Sequence, residues 1–142
     1  MLDSNTTLAD FKDFFENAPV ALLRKDAKTA KIVMANQRAV DLLGFSSEEE
    51  LQNSHKTTDF YSKELRDKLI KLLKKHNTIE GYEIEMKLPT KVIWVAMNLS
   101  LSKDKHFIDV AMIDITDAVN AKNSQLVKMR EISSKLDALL GE

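Results

Sequence analysis

His55, His76 and His106 are the side chains of this sequence best suited to proton transfer near neutrality or to holding a metal ion. They lie far apart and lack the close pairing on one helix face that a zinc site uses, so the sequence predicts no metal centre. No serine, histidine and aspartate fall into a nucleophile pattern, and there is no H-E-x-x-H string. With only three glycines in 142 residues, a backbone cradle for phosphate has little material to be made from. The run Glu48-Glu49-Glu50 reads as acid favouring the start of a helix, and Lys71, Lys74 and Lys75 read as a solvated basic face. No set of groups here does covalent or acid–base work, and the expectation is a protein that is not an enzyme.

Polar groups within apolar alternation are a different matter, because they can orient a bound molecule. Tyr82, Asn98 and Ser100 are of this kind, although Asn98 and Ser100 alternate with the apolar set and so point to the opposite sheet face. Twenty-one basic and 22 acidic side chains leave a net charge of −1, which gives no electrostatic reason for a nucleic-acid or anionic-membrane partner. The absence of cysteine excludes disulfides, thiolate metal sites, a cysteine nucleophile and photochemistry through a cysteinyl adduct. No apolar run approaches the roughly 20 residues that span a bilayer, and the amino terminus is polar, so a cytoplasmic location without direct membrane contact is expected.

The elements that would position these groups follow from periodicity. Thr7 and Asp10 open a helix whose Leu8, Phe11 and Phe15 share a face, and Asn17-Ala18-Pro19 ends it. Val20–Leu23 and Lys31–Ala35, separated by the polar stretch from Arg24 to Thr29, predict a hairpin. Asn36 caps a short helix that stops at Gly44, and Ser46 with Glu49 forms a capping box for a second one. Ser62 starts the longest interior helix, running to about His76 with Leu65, Leu69, Leu72 and Leu73 as its buried stripe. After Gly81 the period changes to two: Tyr82, Ile84, Met86 and Leu88 form one strand, broken by Pro89-Thr90, and Ile93, Val95, Met97, Leu99 and Leu101 line the next. Phe107–Ile115 is nearly continuous in apolar residues, which predicts a strand covered on both faces. Strands flanking a helical block argue for an α+β domain with an antiparallel sheet.

Four strings in this order resemble the PAS family. They are Phe14-Phe15-Glu16-Asn17-Ala18-Pro19-Val20-Ala21, then Ala35-Asn36-Gln37-Arg38-Ala39-Val40-Asp41-Leu42-Leu43-Gly44-Phe45-Ser46, then Ile93-Trp94-Val95, and Asp114-Ile115-Thr116. The sequence departs at Leu88-Pro89-Thr90-Lys91, where the family often has Asp-Gly. The resemblance implies a five-stranded antiparallel sheet with helices on one face. It implies an N-terminal helical cap over residues 1–18, the PAS domain over 19–116 and a signalling helix over 117–142.

The family's ligand space lies between sheet and helices. Here Met34, Leu43, Leu69, Leu73, Ile84, Met86, Met97, Leu99, Val110 and Met112 would line it, or fill it as an ordinary core, and a filled or nearly filled core is the favoured expectation. Haem-binding members carry an axial histidine on the long helix. His76 falls at that helix's end, beside free carbonyls, which argues against haem; the ligand is left unidentified. Asp114, Ile115 and Thr116 match the family's relay into the output helix. From Asp117 the chain runs to Leu140 without Gly or Pro, with Asp117 placed to cap the helix. Val119, Lys122, Leu126, Met129, Ser133, Leu136 and Leu140 form a heptad seam, and a second register passes through Met129, Ile132, Leu136 and Leu139. With Phe11 and Phe15 on the first helix, this seam predicts a homodimer. The expected role is an input and dimerisation module of a larger histidine kinase, cyclase or chemoreceptor, in two-component or cyclic-nucleotide signalling. The downstream effector would be covalently linked and lie beyond Glu142. The alternative is a small-molecule or cofactor-binding module with an apolar internal pocket.

Overall fold

A computed structural model describes residues 7–54 and 59–141. His55, with its loop setting, lies outside the described residues. The chain runs α1 (Leu8–Glu16), β1 (Ala21–Asp26), β2 (Ile32–Ala35), α2 (Gln37–Leu43), α3 (Glu48–Ser54), α4 (Lys63–His76), β3 (Thr78–Lys87), β4 (Val92–Leu101), β5 (Phe107–Asp114) and α5 (Thr116–Leu140). The five strands form one sheet in the order β2-β1-β5-β4-β3, with every neighbour antiparallel. The first and last strands of the domain, β1 and β5, therefore meet at its centre.

Local chemistry sets most element boundaries. Thr7 and Asp10 form a reciprocal box: the Asp10 amide donates to Thr7 Oγ1 at 3.2 Å, and the Thr7 amide donates to Asp10 Oδ2 at 2.8 Å. Asn36 and Ser62 cap α2 and α4, and Gly44, at φ +82°, closes α2 in the left-handed conformation. The cap of α3 sits one residue later than expected, because Ser47 Oγ accepts from the Glu50 amide while Glu50 Oε2 accepts from the Ser46 amide at 3.0 Å. At the start of α5 the cap lies before the helix and not in it. Asp114 Oδ1, rather than Asp117, accepts from the Thr116 amide at 2.9 Å.

The core lies between the sheet and the helices α2, α3 and α4. Leu23, Ile32, Val40, Leu43, Leu51, Phe60, Leu69, Leu73, Ile84, Met86, Val95, Met97, Leu99, Ile108, Val110 and Met112 are all buried there. Three strand readings are corrected. β1 continues through Arg24-Lys25-Asp26, so the polar turn is shorter than expected and Lys25 becomes an inward strand residue. β3 begins at Thr78, before Gly81. Gly81 sits at φ +63° where the register with β4 shifts between Ile79 and Tyr82, and its amide donates to Asn98 Oδ1 at 2.7 Å. β5 is covered on one face only, and Ile113 is 59% exposed.

Met34 also departs from expectation. It is exposed on the outer face, not among the inward residues. Ile32 pairs with Lys25 and Met34 with Arg24, so Val33 is an extra residue in the ladder and the pleat changes phase. Directly opposed residues share a face, and Met34 therefore follows Arg24 outward.

Candidate functional site

Three places in the fold bring together the groups singled out in the sequence: the interior between sheet and helices, the junction where α5 leaves the sheet, and the outer sheet face beside α1.

The interior is nearly full. A residual cavity of about 10 Å³ is lined by Leu43, Met86, Met97, Leu99, Val110 and Met112 among others, which is room for about one water molecule. Leu69, Leu73 and Ile84 are buried in the same core but do not line the cavity, and Met34 lies on the other side of the sheet. The polar group of this interior is one the sequence reading missed. Lys25 is buried, its Nζ donates to Tyr61 Oη at 2.9 Å, and it lies 5.7 Å from the centre of the Tyr61 ring. The signal was present in the alternation Ala21, Leu23, Lys25, which places a lysine on the inward face.

Asn36 is the second buried polar residue. Its Oδ1 accepts from the Leu22 and Ala39 amides, both at 3.0 Å. Its Nδ2 donates to the Phe15 carbonyl at 3.1 Å and the Val20 carbonyl at 2.9 Å. One amide thus ties the end of α1, the entry to β1 and the start of α2, while the sequence showed only the cap.

At the junction, the Ile115 amide donates to the Trp94 carbonyl at 2.8 Å, and the Trp94 amide donates to Thr116 Oγ1 at 2.9 Å. Thr116 Oγ1 also donates to Asp114 Oδ1 at 2.6 Å. Asp114, Ile115 and Thr116 therefore fasten the first turn of α5 to Trp94, near the start of β4. Beyond Val119, every described residue of α5 is exposed: Leu126, Met129, Ile132, Leu136, Leu139 and Leu140 lie open, and this part of the helix buries nothing against its own domain.

The outer sheet face carries an open groove of about 600 Å³, lined by Phe15, Leu22, Met34, Asn98, Ser100 and Ala111 among others. Arg24 and Asp109 also line it, in a two-bond pair at 2.6 and 3.0 Å, with the guanidinium 4.9 Å from the Phe107 ring centre. The hydrogen bond to Asp109 holds the Arg24 guanidinium further toward its charged form. Asn98 and Ser100 do face away from the core, and Tyr82 is half-buried against the core rim. On α1, Phe11 is 45% and Phe14 77% exposed.

The remaining histidines stay apart. His76 is exposed at the end of α4, and His106 is exposed in the β4–β5 turn, 3.7 Å from Asp104. No group of three or more metal-ligating side chains occurs among the described residues, and no described helix is long and apolar enough to cross a membrane.

A family model described as PAS domain matches residues 9–75. Among solved structures, the PAS domain of an HTR-like protein from Haloarcula marismortui is 18% identical over 75% of this chain and 90% of its own, with a TM-score of 0.63. The PAS domain of nitrogen regulation protein NR(II) from Vibrio parahaemolyticus is 17% identical over 78% and 100%, with a TM-score of 0.60. An RNA-binding light-oxygen-voltage receptor is 14% identical, with a TM-score of 0.69 over 92% of this chain and 40% of its own. That last coverage leaves too few residues unmatched to omit the 25 residues of α5, so the exit helix is in part common to both folds. No curated protein matches the chain.

Proposed function

With a PAS domain as the body of this chain, we propose that it serves as a non-catalytic input and dimerisation module of a larger signalling protein, of histidine kinase, cyclase or chemoreceptor type. It relays a change in the domain through α5 to a covalently linked effector. The observation that carries this reading is the fastening of α5 to β4 through Ile115 and Thr116, followed by a 25-residue helix whose apolar residues are exposed. A helix that beyond its first turn buries nothing against its own domain gains little stability alone, and an apolar seam of 3.5-residue period is satisfied by a parallel copy. A PAS domain from a two-component sensor histidine kinase shares this fold, which supports that role.

In this reading Val119, Leu126, Met129, Leu136 and Leu140 form the dimer seam, and Phe11 and Phe15 extend it at the amino-terminal end. The second register, through Ile132 and Leu139, makes α5 a two-state element with a small energy gap. The chain has no cysteine, so single cysteines can be placed at will. Leu126→Cys reports the first seam and Ile132→Cys the second. Both variants should form disulfide-linked dimers, in a ratio that changes with substitutions at Thr116. One unchanging pattern would remove the two-register relay, and a monomer in light scattering at micromolar concentration would remove the dimer.

A ligand-holding module is the second reading, favoured by the methionines around the interior cavity and by Lys25 beside it. Small-molecule pockets usually hold about 300–1,000 Å³, far above what is open here, so a ligand would have to enter by repacking Met86, Met97 and Met112. Native mass spectrometry of freshly purified protein, with Met86, Met97 and Met112 each replaced by a larger side chain in turn, separates the readings, since only the second predicts added mass that those replacements remove.

A further inference from the structure

We propose that the cleft between α4 and the β1–β2 and β4–β5 turns binds a small amphipathic anion, of the alkyl carboxylate class. The cleft encloses about 360 Å³, within the range of small-molecule sites. Four cationic side chains, Lys28, Arg66, Lys74 and Lys105, surround a floor that includes the core residues Leu73 and Ile108. No acidic side chain lines it among the described residues. The whole chain is nearly neutral, so this rim is a local excess of positive charge over an apolar surface. An occupant that satisfies both needs a negative head and a short apolar body.

The rim is built rather than accidental, because its three elements are tied together. The Ala27 amide donates to the His106 carbonyl at 2.9 Å, joining the two turns. An Arg66 guanidinium nitrogen donates to the Lys28 carbonyl at 2.7 Å, joining α4 to the first turn. The aspartates of the two turns, Asp26 and Asp104, are engaged within those turns. Asp26 Oδ1 accepts from the Lys28 and Thr29 amides, both at 2.8 Å, and Asp104 Oδ1 accepts from Ser102 Oγ at 2.6 Å and the His106 amide at 3.0 Å. The cleft shares no lining residue with the interior cavity or the outer groove, so it is a separate site.

Amide chemical-shift mapping of the intact chain tests this, using octanoate below its micelle concentration, octanol as the uncharged match and inorganic phosphate as the bare anion. Octanoate should give saturable shifts centred on Ala27–Lys28, Arg66–Lys74 and Lys105–Ile108, with octanol and phosphate both weaker. Replacing Lys74→Gln and Lys105→Gln together should weaken octanoate about tenfold without unfolding the protein, because neither side chain is buried. The proposal is overturned by any of four results: no saturable shift, shifts centred elsewhere, equal binding of octanol or phosphate, or unchanged affinity in the double variant.

Discussion

Asn36 carries more of this fold than any other single polar side chain described, because one fully buried amide completes four backbone groups from three elements. Asn36→Ala would leave buried donors and acceptors without their partner, and the loss of native stability should be about 2–4 kcal/mol by chemical denaturation. Amide exchange in α1 should rise more than in β4, since the bond to the Phe15 carbonyl is one of the four. A second effect at this scale depends on pH. Asp10 is held below the usual carboxylate range, first by the Thr7 backbone amide and then by the Thr7 hydroxyl. A depressed folded-state pKa means that the contribution is present above the unfolded value and is lost as pH falls through the folded one. Fraying of α1, read by amide exchange, should therefore increase as pH drops below the ordinary carboxylate range. Asp10→Asn should remove most of that dependence. Asn36 as a cap was legible in the sequence; its role as a tie between three elements was not, since its other partners lie 14 to 21 positions away.

At the scale of elements, boundaries followed local chemistry where a side chain met its own backbone, and departed where two strands had to agree. Thr7, Ser62 and Gly44 mark their helix ends as their spacing predicts. Gly44→Ala would meet Thr90 Oγ1 only at ordinary contact distance, so the cost is that of a left-handed backbone, about 1–2 kcal/mol in thermal unfolding. The bulge at Val33 and the shift at Gly81 depend on the facing strand, and no period within β2 or β3 alone announces them. The edge strand β2 is protected in the same non-local way. Glu48 Oε2 accepts from the Ala35 amide and Gln52 Nε2 donates to the Val33 carbonyl, so the acidic helix start also covers an edge. At the α5 junction, Thr116→Val would deprive the Trp94 amide of its acceptor and Asp114 of one of its two donors, the Thr116 amide remaining. Stability should fall by about 1–2 kcal/mol, and exchange should quicken selectively in the first turn of α5 while β1 and β5 stay protected.

For the molecule as a whole, the apolar surface that the single chain leaves open is the governing fact. Phe14 on α1, Ile113 on the outer sheet face and the residues along α5 are exposed together. Under the proposed dimer, Leu126→Lys with Leu136→Lys should shift the protein to monomer in light scattering while leaving sheet-protected amides unchanged, since neither residue touches the core. Phe14→Ala should weaken the dimer less than the seam variants if α1 is secondary, and equally if both ends share one interface.

The sequence alone determined the kinds and order of the elements, because helix and strand periods and capping residues are written within a few positions of one another. It also determined the likeness to PAS domains, the lack of the nucleophile, zinc and phosphate-loop motifs sought in it, and the heptad pattern of the tail. Only the tertiary structure decided which way Met34 points, because one extra residue in a ladder reverses every side chain beyond it. Only the tertiary structure closed the interior to about one water's volume and gathered Lys28, Arg66, Lys74 and Lys105 around one cleft. Both results depend on how elements distant in sequence pack, and no local spacing encodes that packing.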